Sequence, residues 1–249
     1  METYEIIKDE SALEEFVAWL PDLNLNEKFY VSLQVRKKYM PHLKSRDNIQ
    51  LKRFVVSKDM LVTKIRQLEC PVGAYRTKEG EVVPNGAMAL YITPNPRDMK
   101  RATYVGIKAL VDLLHKGEQA ENISFNPYTE MLSCVHKTKS KSTFVHFDID
   151  KPTGTAKDAN APKSNLTTEG LWDLVTKVVG VEATTIVETR GGWHLMIEPT
   201  KVVSETKNWH QKITKQIDCD QTGDLMMPVV GCCQGDFVPR FYKHNVGNL

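Results

Sequence analysis

Apolar and polar positions alternate or cycle along the chain with periods that lay out its elements. Leu13, Phe16, Val17 and Leu20 recur at helical spacing, and Ser11 with Glu14 three residues later forms a capping-box signature ahead of them. Residues 28–36, KFYVSLQVR, place Phe29, Val31, Leu33 and Val35 at alternate positions, the period of a half-buried strand. Residues 57–70 predict a second helix capped by Ser57, residues 86–93 a strand, and residues 95–117 a long helix. Asn95 stands as the N-cap of that long helix, Pro96 as its first residue and Gly117 just past its end. In the second half, residues 142–150 (STFVHFDID) predict a strand ending in acids, 151–165 a Pro/Gly/Lys-rich loop, and 167–180 a helix closed by Gly180. Residues 184–199 predict two strands joined by a tight turn at Arg190-Gly191-Gly192, followed by a helix over 204–217, an acidic turn and the apolar 225–230. Helices and strands mix throughout, with an antiparallel hairpin, which favours an α+β sheet with helices on one face over a parallel doubly wound sheet.

Length and composition bound the picture without sharpening it. The 249 residues are 41% hydrophobic and 26% charged, an ordinary globular balance that excludes collagen, low-complexity repeats and wholesale disorder. The nearest approach to a membrane span is the interrupted LMMPVVGCC at 225–233, and the acidic METYEIIKDE lacks an apolar signal core. A soluble, unexported, membrane-free protein of the cytoplasm is expected. A net charge of +2 means that any nucleic-acid partner would need a local basic surface. The odd set Cys70, Cys134, Cys219, Cys232 and Cys233, two of them adjacent, makes a poor disulfide framework and points to a reducing compartment.

Three segments carry candidate chemistry. Side chains at i and i+2 of a strand share a face, so His146, Asp148 and Asp150 point one way while Val145, Phe147 and Ile149 point the other. Two carboxylates at a strand end suit hard cations such as Mg²⁺ or Mn²⁺, which take oxygen ligands and substrate phosphates; a solvated strand end fits the same pattern. In WHLMIEP, His194, Met196 and Glu198 share a face, and the preceding Arg190, Gly191 and Gly192 offer a guanidinium and a close backbone approach to a triphosphate. A hairpin turn that needs glycines is the plainer account. KQIDCDQTGD at 215–224 adds Asp218, Asp220 and Asp224; a third carboxylate would complete a two-metal site, in which ions roughly 3.5–4 Å apart activate the attacking oxygen and stabilise the leaving one.

An hhhhDhD strand, a GGxHhhh hairpin about forty residues on, then a helix and an hD motif together resemble the archaeo-eukaryotic primase superfamily, the primase and primase-polymerase catalytic domains that include small phage and plasmid versions. The resemblance lies mainly within residues 140–242. Asp148 and Asp150 match the first motif, His194 the histidine of the second, and Asp218 or Asp220 the third-motif acid, with Asp220 preferred for its distance from the histidine. The resemblance implies that these aspartates hold two Mg²⁺ or Mn²⁺ ions and that His194 and Arg190 contact the phosphates of an incoming NTP or dNTP. It implies a single catalytic domain over 1–249: an N-terminal α/β module at 1–120 that helps hold a single-stranded DNA template, and an RRM-like catalytic sheet at 121–249. Any unwinding would come from a separate helicase, and the setting would be a bacterial or phage-infected cell. Two departures stand out. Gly192 occupies the place where many members carry serine two before the histidine, and 223–242 has no arginine before Arg240.

The expected activity is therefore template-directed nucleotidyl transfer. The alternatives are a catalytically silent relative that binds DNA or nucleotides in replication initiation, and a metal-dependent phosphodiesterase. Other residues carry less. Arg97, Lys100 and Arg101 open the 95–117 helix, where a phosphate could sit or the charges could simply be solvated. Lys151, Lys157 and Lys163 lie on the loop after the acidic strand, where they could track a nucleic-acid backbone. Cys219, Cys232, Cys233 and His244 fit zinc-ligand spacing poorly. His42, His115, His136 and His210 show no partner pattern, and Trp19, Trp172 and Trp209 read as core.

Overall fold

The computed structural model describes residues 2–39, 49–77, 79–117, 126–151, 166–203, 208–221 and 226–243. Lys157, Lys163, Asp224, His42 and His244 lie outside the described residues. The chain runs α1 (Glu10–Trp19), β1 (Glu27–Val35), β2 (Ile49–Val56), α2 (Leu61–Arg66), β3 (Met88–Ile92), β4 (Arg97–Asp98), α3 (Met99–Gly117) and α4 (Pro127–Lys137). It continues through β5 (Val145–Asp150), α5 (Thr168–Val179), β6 (Thr184–Glu188), β7 (Gly192–Ile197), α6 (Trp209–Thr214), β8 (Asp220–Gln221), β9 (Met227–Pro228) and β10 (Arg240–Phe241). Among the described residues the strands form two sheets, one ordered β2-β1-β3-β9 with β4 also on β1, the other β10-β6-β7-β5-β8. Each described strand pair is antiparallel, and the α+β class holds, with the strands in two sheets.

Strand alternation divides the core. On the second sheet Phe147, Ile149, Trp193, Leu195, Ile197 and Ile186 turn to one side and pack with Leu171, Val175 and Val179 of α5 and Ile213 of α6. Val187 and Met196 turn to the other side. They join a larger core with Phe29, Val31, Leu33 and Val35 of β1 and the apolar faces of α1 and α2. The two sheets thus share one apolar interior. On the opposite face of the first sheet, Tyr30 packs with Ala102 of α3 and with Leu132 and Val135 of α4. Among the described residues no helix is long and apolar enough to cross a membrane.

Several elements begin elsewhere than the pattern predicts. α1 is capped by Asp9, whose carboxylate accepts from the Ala12 N–H, and Ser11 lies inside the helix. The helix expected over 57–70 is the single stretch Leu61–Arg66, and no side chain caps it. The long helix starts at Met99, because Asn95 is drawn away: its side-chain amide donates to the Phe144 carbonyl at 2.9 Å and accepts from the Phe144 N–H at 2.9 Å. Arg97, in β4, therefore pairs with Lys28 of β1 and is fully buried, so it does not open the helix as a phosphate contact. Of the helix expected over 204–217 the described helical part is Trp209–Thr214, and α4 and β2 were not foreseen.

Candidate functional site

The second sheet assembles the acids and the histidine by register. On β5, Asp148 stands directly opposite His194 of β7 on one side and opposite Asp220 of β8 on the other. Directly opposite residues of neighbouring strands belong to the same sheet face, so three positions far apart in the chain become neighbours there. Asp148 Oδ1 lies 3.9 Å from His194 Nδ1; the Asp148 side chain is 43% exposed and that of His194 only 8%. Asp150 is exposed at the end of β5, two residues along. Asp218 precedes β8, unpaired by any strand and exposed.

The glycine turn explains how β7 comes so close. Thr189 and Gly192 close the hairpin with hydrogen bonds of 2.9 and 3.1 Å, and Gly192 is the first residue of β7, opposite Asp150. A Cβ at Gly192 would lie 1.9 Å from the Ile149 carbonyl oxygen and 2.9 Å from Asp150 Cα, well inside contact distance. Serine, like any residue with a Cβ, would not fit here. Arg190 donates its N–H to Gln234 at 2.8 Å, and its guanidinium lies 4.5 Å over the Tyr39 ring.

Above this face lies a cavity of about 260 Å³ lined by Asp148, Asp150, Gly191, Gly192 and His194 on one side. Its other wall comes from the first sheet: Gln34, Arg36 and Lys38 at the end of β1, and Tyr91 of β3. The Arg36 guanidinium sits 5.4 Å over the Tyr91 ring. Two cations thus face two carboxylates across one cavity. Arg36, Lys38 and Tyr91 carry no motif; the only signal was that Gln34 and Arg36 fall on the polar phase of the 28–36 strand. Thr189 of the hairpin turn and Met226 and Gln234 of the C-terminal segment complete the lining.

Burial, then the neighbouring His146 and Lys38, hold the His194 pKa well below the ordinary value of 6.5, so the ring is neutral at pH 7. His146, itself buried, brings Nε2 to 2.6 Å from His194 Nδ1. Among the described residues no group of three His, Cys, Asp or Glu side chains gathers as a metal cluster. The fit to a cation rests on donor chemistry: two accessible carboxylates at a cavity mouth, which suits Mg²⁺ or Mn²⁺ better than softer metals. Cys232 and Cys233 are buried, and burial raises both thiols, that of Cys233 to about 12. Lys151 lies beside the site, with its N–H on the Gly191 carbonyl and its ammonium 5.4 Å over the Trp193 ring. Comparison of the chain with protein-family models, curated proteins and solved structures finds no match.

Proposed function

We propose that the protein is a primase-polymerase-type nucleotidyltransferase, and that the second sheet is its RRM-like catalytic sheet. The observation that supports this most is the register that sets Asp148 between His194 and Asp220 on one sheet face, under a cavity whose far wall is cationic. Asp148, Asp150 and Asp220 would hold two Mg²⁺ or Mn²⁺ ions. When bound, the ions supply charge neutralisation at the reacting phosphate and the leaving pyrophosphate. Arg36, Lys38 and a neutral His194 would hold the triphosphate of an NTP or dNTP, fixing its α-phosphorus for in-line attack by a primer or initiating 3′-hydroxyl on a single-stranded DNA template. The bond formed is O3′–Pα, the bond broken is Pα–O to the β-phosphate, and the hydroxyl proton leaves to solvent. Positioning and electrostatic stabilisation account for most of the acceleration in such reactions.

The role given to Arg190 shifts. Its guanidinium lies over Tyr39, and Lys38 comes within 3.5 Å of where a Gly191 Cβ would stand. Lys38 and Arg36 line the cavity and Arg190 does not, which makes those two the better phosphate ligands. Incubation of the purified protein with Mn²⁺, single-stranded DNA and labelled nucleotides tests the reading. The wild type should give extended product, and Asp148→Ala should lose it by about 100-fold or more while keeping its circular dichroism and melting temperature. Product at the wild-type rate from Asp148→Ala would overturn the assignment. Metal-independent DNA binding without product would favour a silent binding module, and shortened substrate would favour hydrolysis.

A further inference from the structure

We propose that His146 is a positioning residue for His194: it donates from Nε2 to His194 Nδ1 and so fixes His194 in the tautomer that carries its proton on Nε2, offering a phosphate a donor. The inference rests on the nucleotidyltransferase reading for which ring donates and what the freed donor meets, and on geometry for the contact between the two rings. The two nitrogens are 2.6 Å apart, a separation that a single shared hydrogen fills. A neutral imidazole carries one proton, so it donates from one nitrogen and accepts at the other. The shared hydrogen therefore couples the two rings. If His146 donates, the proton of His194 must sit on Nε2. If His194 donates, its Nε2 is a bare lone pair that would repel a phosphate oxygen.

Other candidates for orienting His194 are weaker. Asp148 Oδ1 is 3.9 Å from Nδ1, beyond hydrogen-bond length, so it does not hold that proton in this arrangement. The ring centroids of the two histidines are 4.8 Å apart and the planes tilted by 50°, with the two nitrogens facing. The position of His146 also calls for an explanation. It pairs with Met196 on the face that leads into the shared apolar core and is 1% exposed. A hydrophobic side chain would suit that place at lower desolvation cost than an imidazole. A histidine there makes sense as the support of a second histidine, the arrangement by which an outer hydrogen bond selects which ring nitrogen meets the ligand.

Imidazole ¹⁵N NMR of the intact protein at neutral pH reads the tautomer directly and needs no variant. His194 protonated on Nε2 supports the proposal; His194 protonated on Nδ1 overturns it. Two variants extend the test. His146→Gln places an amide N–H near the old Nε2 and should keep the tautomer, whereas His146→Phe keeps the ring without the donor and should lose it. An unchanged His194 tautomer in His146→Phe would overturn the proposal. Affinity for inorganic triphosphate should fall about tenfold, the worth of one hydrogen bond to a charged group, in His146→Phe and recover in His146→Gln. Equal affinity in all three proteins would also overturn it. These readouts do not depend on turnover, so a failure of primer synthesis by every protein would remove the proposed reaction without deciding the role of His146.

Discussion

Gly192 shows how a single missing atom sets the site. With no Cβ, β7 lies against the Ile149 carbonyl, and the strand that carries His194 comes into register with Asp148. Gly192→Ala should destabilise the protein by about 1–3 kcal/mol, the usual cost of forcing extra volume into a packed site, and denaturant unfolding measures it. His194 makes a second prediction, in pH. Its pKa is lowered in the folded state, so the unfolded chain binds the proton more tightly and stability is lost as pH falls below about 6.5 towards the folded value. His194→Asn, neutral throughout, should show a shallower loss over that range in thermal melts. At this scale the sequence was legible where a period of two sufficed: His146, Asp148 and Asp150 do share a face. Arg36 and Lys38 were not legible, because they reach the site only when another sheet is brought across it, and nothing local encodes that approach.

At the scale of elements, the same dipeptide reads true once and false once. Asn126-Pro127 caps and opens α4, with the Asn126 side chain accepting from the Thr129 N–H at 3.0 Å. Asn95-Pro96 carries the same signature, yet Asn95 holds both backbone groups of Phe144 instead, and α3 starts later. Capping chemistry is a local preference worth about 1 kcal/mol, and two buried long-range hydrogen bonds outweigh it. The start of α1 allows a direct comparison. Asp9→Ala should cost about 1 kcal/mol of stability, whereas Ser11→Ala, an exposed helical position, should change it by less than about 0.5 kcal/mol. The strand of 28–36 was legible from alternation and the hairpin from its glycine turn, and 86–93 also reads as a strand. The short strands β4, β8, β9 and β10 were not, since two residues carry no period and their pairing is set by neighbours.

Across the whole molecule, the stretch from Met226 to Phe241 belongs to both sheets. β9 extends the first sheet on β3, β10 extends the second on β6, and between them Cys232 bridges Ile7 while Gln234 bridges Ala89. Val229, Val230, Cys232 and Cys233 fill the interior that the sheets share. A chain ending at residue 225 should therefore lose cooperative unfolding by calorimetry, despite keeping α1 to α6 and each acid proposed for the site. The same layout governs the order in which the protein can be completed during synthesis. Lys8 and Asp9 both donate their N–H groups to the Gly231 carbonyl, so these two bonds of the segment before α1 form only once residue 231 is in place. Its bonds from Tyr4 to the Cys70 carbonyl and from Ile6 and Ile7 to the Glu69 carboxylate can form well before that, so Gly231 locks a segment that is already partly anchored.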